Sequence, residues 1–185
     1  MYCIDVLLDE HERIREFISV AQSACCRIIE GEQINTEHFA KMLEFGKGYA
    51  DSIHHKKEED ILFDAMVNEF GGPAEKMIRH GMLVEHDLGR LHLSELDNAL
   101  NEYISSPSVM LKLRIITNIS AYCELLERHI VKENEVAYPF GQRVLSNDTF
   151  NRLNDETEKF ESDSDNATQK KYYLDILDSL KKEYC

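Results

Sequence analysis

Apolar positions recur at three- and four-residue spacing through most of the chain, the period of helices with one buried face. From Cys3 to about Glu30 the stripe is Ile4, Leu7, Leu8, Ile14, Ile18, Ala21, Cys25 and Ile29, and Gly31 stops it. Asn35-Thr36 is positioned to cap a second helix that runs to about Phe70, where Gly71-Gly72-Pro73 breaks it. A third helix opens near Pro73 and carries Ile78, Met82, Leu83, Leu93, Leu96, Leu100 and Ile104, before Ser105-Ser106-Pro107-Ser108 ends it. The fourth runs from about Ser108 to the neighbourhood of Pro139. Beyond Phe140 the pattern weakens: Asn147-Asp148 caps a short helix through Phe160, residues 161–166 read as a polar loop, and a last helix spans about Ala167 to Tyr184 with Tyr172, Ile176, Leu177 and Leu180 inward. No segment shows two-residue alternation with hairpin turns. The expected fold is all-α: an up-down-up-down four-helix bundle over residues 1–145, with a C-terminal helical extension, 146–185, packed on it.

The stripes also carry polar residues. His54 and Glu58 are four apart and project from one face of the second helix; His129 and Glu133 repeat the spacing on the fourth. At roughly 100° per residue, His54 and Glu58 fall with Leu43, Ala50, Ile53, Ile61, Leu62 and Ala65. His55 and Glu59 fall with Lys41, Glu44, Gly48 and Ser52, so they are expected to be mostly solvated. His129 and Glu133 share an arc with Leu111, Ile115, Leu125 and Leu126, and His11 and His86 lie mid-stripe on the first and third helices. Tyr122, about two turns below His129 on the same arc, is assigned to core packing, with a proton or hydrogen-bond donor at the site as the alternative. Height gives an independent test. His11 precedes the first turn by about 22 residues and His54 follows it by about 21; similar agreement holds across the second and third turns, so at 1.5 Å rise all six groups share one layer.

A buried glutamate without a cation costs several kcal/mol, roughly, and two in one layer repel each other. A divalent metal neutralises both and uses the neutral imidazoles as donors. His11, His54, Glu58, His86, His129 and Glu133 are therefore the candidate ligands. Imidazole and carboxylate without thiolate suit iron or manganese, with zinc as a further substitute, and two glutamates able to bridge imply two ions. Composition narrows the partners. A formal charge of −14 opposes a nucleic-acid groove or an anionic membrane surface. No apolar run spans a bilayer and no secretory signal pattern opens the chain, which reads as cytoplasmic. The five cysteines form no Cys-x-x-Cys pair, which indicates neither a disulfide framework nor a thiolate zinc site.

The motifs Asp9-Glu10-His11, His54-His55-Lys56-Lys57-Glu58-Glu59-Asp60-Ile61-Leu62-Phe63, Glu85-His86-Asp87-Leu88-Gly89-Arg90 and His129-Ile130-Val131-Lys132-Glu133-Asn134 together resemble the hemerythrin-like HHE cation-binding proteins, over roughly residues 4–144. The resemblance implies a four-helix bundle with a non-haem di-iron centre on the same six residues. The oxygen-carrying members have a second histidine one turn after the first on the third helix and a His-x-x-x-x-Asp on the fourth; here Arg90 and Glu133 stand instead. That departure resembles the reactive members, which are linked to nitric oxide, peroxide or oxygen chemistry and to iron–sulfur repair. The repair proteins usually carry an added cysteine-bearing N-terminal domain, whereas this chain starts at its first helix. The implied function is binding of, or reaction with, a small diatomic or peroxide ligand, as a di-iron oxidoreductase served by an electron-donor protein. A metal or oxygen sensing or storage module is the alternative.

Overall fold

The computed structural model describes residues 1–185 as six helices without strands. Helix α1 spans Tyr2–Ile29. Helix α2 runs through residues 36–70; the Asn35 side chain caps it by accepting the His38 N–H at 3.1 Å, and Gly71 ends it at φ 66°, a conformation open to glycine. Helix α3 covers residues 72–105 with Pro73 in its first turn, and α4 covers 109–144 with Ser108 accepting the Leu111 N–H at 3.2 Å. Helices α5 (Asn147–Ser162) and α6 (Ser164–Tyr184) complete the chain.

Several expected boundaries move. The fourth helix passes Pro139 and ends at Val144. Ser146, not Asn147-Asp148, caps α5 by accepting the Thr149 N–H at 3.1 Å. Residues 161–166 are no loop: Asp163 alone breaks the helix, and its carboxylate caps α6 by accepting the N–H groups of Asp165 and Asn166, each at 3.0 Å. One short acidic side chain satisfies both new N-terminal donors, so the turn needs no further residues.

The helices are not uniformly α. Gly46–His55 and Glu58–Phe63 in α2, Ile78–Met82 in α3 and Glu133–Ala137 in α4 open into π turns, in which each N–H bonds to the carbonyl five residues back. Pro139 explains the last of these. It has no N–H to donate and its ring crowds the carbonyl four residues earlier, so the ladder loosens just before it.

Two apolar clusters flank a polar layer. The larger holds Phe17, Phe45, Tyr49, Leu96, Ile119 and Tyr122 among others, and the smaller holds Ile4, Leu7, Leu62, Phe63, Ile78 and Tyr138. Helix α1 enters the smaller cluster first, α2 the larger, α3 the smaller and α4 the larger. His11, His54, His86 and His129 lie where each helix passes between them. Helix α3 packs on α4, α4 on α1 and α2 on α3, while α5 and α6 lie against α1 and α2. Gly48 admits α6 closely: a Cβ there would sit 2.0 Å from the Tyr173 ring. No helix is long and apolar enough to cross a membrane.

Candidate metal centre

All six expected ligands are buried and come together. Two groups form, within which the donor atoms lie no more than 4.8 Å apart: His11, His54, Glu58 and Glu133, and His55, Glu58, His86 and His129. Glu58 belongs to both. Glu133 spans them as well, with one oxygen 3.2 Å from His11 Nε2 and the other 2.9 Å from His129 Nε2.

His55 corrects the expectation of a solvated side chain. It is 4% exposed, and its ring stacks on His86 with centroids 3.8 Å apart. The arc drawn around His54 counted one buried face, but α2 contacts α1 on one side and α3 on the other. The π turn also lowers the rotation per residue, so adjacent histidines can both face inward, His54 towards His11 and His55 towards His86. Glu59 is corrected too. It accepts the His86 Nδ1–H at 2.6 Å and pairs with Arg90 at 2.7 Å.

Each imidazole is held by its outer nitrogen. Nδ1 of His11 faces Asn134 Oδ1 at 2.8 Å, that of His54 faces Glu10 at 3.1 Å, that of His55 faces Asp51 at 3.3 Å, and that of His129 faces Glu85 at 2.9 Å. Carboxylate and amide oxygens only accept, so every Nδ1 carries a proton, and an imidazole with no second proton presents its Nε2 lone pair to the interior. The consequence is sharpest between His86 and His129, whose Nε2 atoms approach to 2.9 Å. At that distance the two nitrogens share a cation, either a proton that one Nε2 donates to the other's lone pair or a metal ion held by both. Glu58 Oε2 and both Glu133 carboxylate oxygens are buried without a hydrogen-bond partner. Five inward nitrogens and three unpartnered oxygens fit metal ions.

The electrostatics agree. Burial would lower the His11, His86 and His129 pKa values, but Glu133 beside them raises all three, with Glu58 adding to His11 and His86; His129 rises to about 9. Burial would raise Glu133, yet His129 and the other imidazoles hold it well below the carboxylate range. His55 goes the other way, kept neutral by burial and by His86. Buried carboxylates here demand positive charge, from protons or from metal.

The Hemerythrin HHE cation binding domain is the family whose model matches, over residues 3–141. The chain belongs to that family. No curated protein and no solved structure matches it. It is thus a metal-binding hemerythrin-like protein whose family portion ends within α4, with α5 and α6 beyond it.

Besides His55 and Glu59, the hemerythrin-like site includes Tyr138, which sequence reasoning missed, and Lys57, which it placed beside the motif but not in the interior. Tyr138 donates its hydroxyl hydrogen to Glu58 Oε1 at 2.5 Å, lies 3.3 Å from His11 Nε2, and stacks parallel to the His11 ring. It reads from sequence as part of an apolar tail, and the π turn at Glu133–Ala137 brings it inward. Lys57 is 1% exposed and pairs with Glu10 and Glu161. Tyr122, as expected, lies in the larger apolar cluster, and no cysteine joins the centre.

Proposed function

We propose that this hemerythrin-like protein is a non-haem di-iron protein that binds or reduces a small oxidant: oxygen, peroxide or nitric oxide. The observation that carries the reading is the pair of Nε2 atoms at 2.9 Å, each on an imidazole whose other nitrogen is already committed as a donor. Glu58 and Glu133 would bridge, His11 and His54 would complete one ion, and His55, His86 and His129 the other. Nitrogen and oxygen donors without thiolate favour iron, with manganese or zinc able to substitute. The alternating order in which α1 to α4 meet the two apolar clusters supports an up-down-up-down bundle over residues 1–145.

His55 changes the argument about open coordination. Arg90 stands one turn after His86, and its guanidinium pairs with Asp51 and Glu59 at 2.8 and 2.7 Å, the acids that hold His55 and His86. The nitrogen absent from α3 is thus supplied by α2. The less filled side is then that of His11 and His54, and an oxidant is expected there. Iron, when bound, supplies the electrons. This chain's own contribution at that side is the Tyr138 hydroxyl, a buried donor whose pKa is pushed up by burial and by Glu58 and Glu133, so it stays protonated. Turned from Glu58 Oε1, it would give a hydrogen bond to a reduced ligand, and a proton to one basic enough to take it.

Protein from iron-replete cells should hold about two iron ions per chain, and after anaerobic reduction should react with at least one of the three oxidants in stopped-flow mixing. Tyr138→Phe should keep the iron and slow that reaction by about 10²-fold, the contribution of one positioned proton donor. Iron near zero after gentle purification, or a fully reduced centre inert to all three, overturns the reading.

A further inference from the structure

Four charged side chains form a closed ring beside His54. Glu10 from α1, Lys57 from α2, Glu161 from α5 and Lys170 from α6 alternate in sign, each touching the next. Lys170 Nζ lies 2.7 Å from Glu10 Oε1 and 2.6 Å from Glu161 Oε2; Lys57 closes the other side, pairing with the same oxygen of Glu10 and the other oxygen of Glu161. The remaining oxygen of Glu10 accepts the His54 Nδ1–H at 3.1 Å. Glu10 and Lys57 are 2% and 1% exposed, so neither can turn to water if its partner is lost.

We infer that Lys170 and Glu161 are positioning residues for His54, and that the α5–α6 hairpin is a working part of the metal centre. This rests on the reading that His54 holds a metal ion. Lys170 and Glu161 are partly exposed, but removing either leaves an uncompensated charge on the buried member it touched, Glu10 or Lys57. Glu10 would then relax towards Lys57, and the imidazole it orients would lose its aim. Loss of a partner behind a metal-bound histidine weakens metal affinity about 10- to 100-fold. The His55, His86 and His129 side has its own supports, Asp51, Glu59 and Glu85, and does not touch the ring.

Cobalt(II) is the probe, because its visible absorption reports ligand geometry and its release into excess chelator can be timed. Wild-type full-length protein should take up two ions. In Lys170→Met one ion should leave about 10- to 100-fold faster and its absorption band should shift, while the other is unchanged. Lys170→Arg, which keeps the charge, should restore both. Lys181 pairs with Glu16 at 3.0 Å and ties α6 to α1 away from the centre, so Lys181→Met separates a metal effect from simple loosening of the hairpin; it should leave both rates alone. Should Lys170→Met fail to fold, Glu161→Gln is read in the same way. Unchanged release in the ring variant, equal acceleration of both ions, or an equal effect from Lys181→Met overturns the inference while the metal reading stands. Wild-type protein that takes up no cobalt overturns both.

Discussion

His55 and Glu59 test how the centre is built at the scale of single residues. His55→Ala removes an inward nitrogen and the ring stacked on His86, so metal analysis should find close to one ion per chain, whereas His80→Ala, at an exposed position, should leave two. Glu59→Ala removes no metal donor yet frees the His86 ring, and isothermal titration should show affinity about 10- to 100-fold weaker. The four-residue spacing of His54 with Glu58 and of His129 with Glu133 was legible in the sequence because an α-helix puts such pairs on one face. His55 was not legible: its burial depends on α2 having neighbours on both flanks, and a periodicity argument assumes one buried face. Lys57 was legible as a charge beside the motif but not as a buried one, since Glu161, its partner besides Glu10, lies about a hundred residues further along the chain.

At the scale of helices, the caps were readable because their chemistry is local. Asn35, Gly71 and Ser108 mark the ends as expected. The π turns were not, since over one or two turns an apolar stripe does not distinguish 3.6 residues per turn from a slightly larger number. Only Pro139 leaves a local trace, and proline marks a helix end as readily as a loosening within one. Pro139→Ala should let α4 close into ordinary turns, raising the denaturant stability of the metal-free protein by up to about 3 kcal/mol, the helix-interior cost of proline. The same change re-aims Glu133 and Tyr138, so metal affinity should fall at least about tenfold. Stability and affinity moving in the same direction would show that the π turn is not tied to the site.

For the whole molecule, metal and stability are linked. A ligand at a thousandfold excess over its Kd adds about 4 kcal/mol per site to the folded state, which for a chain this size corresponds to a Tm rise on the order of 10 °C. Calorimetry of chelator-treated and reloaded protein should show at least that gap, and uptake should weaken as pH falls because protons compete for the same Nε2 lone pairs. The all-helical fold and the site's height in it followed from stripe lengths and turn positions, but the role of the last two helices did not, as their apolar faces say only that they pack somewhere. The ring that joins them to His54 cancels its own charge, so the surplus of −14 lies chiefly on the exterior. Such a surface slows the approach of anions such as superoxide and nitrite within a Debye length of about 8 Å, while uncharged oxygen, nitric oxide and hydrogen peroxide feel no such repulsion. Under the proposed function, anionic oxidants would therefore reach the protein more slowly than neutral ones.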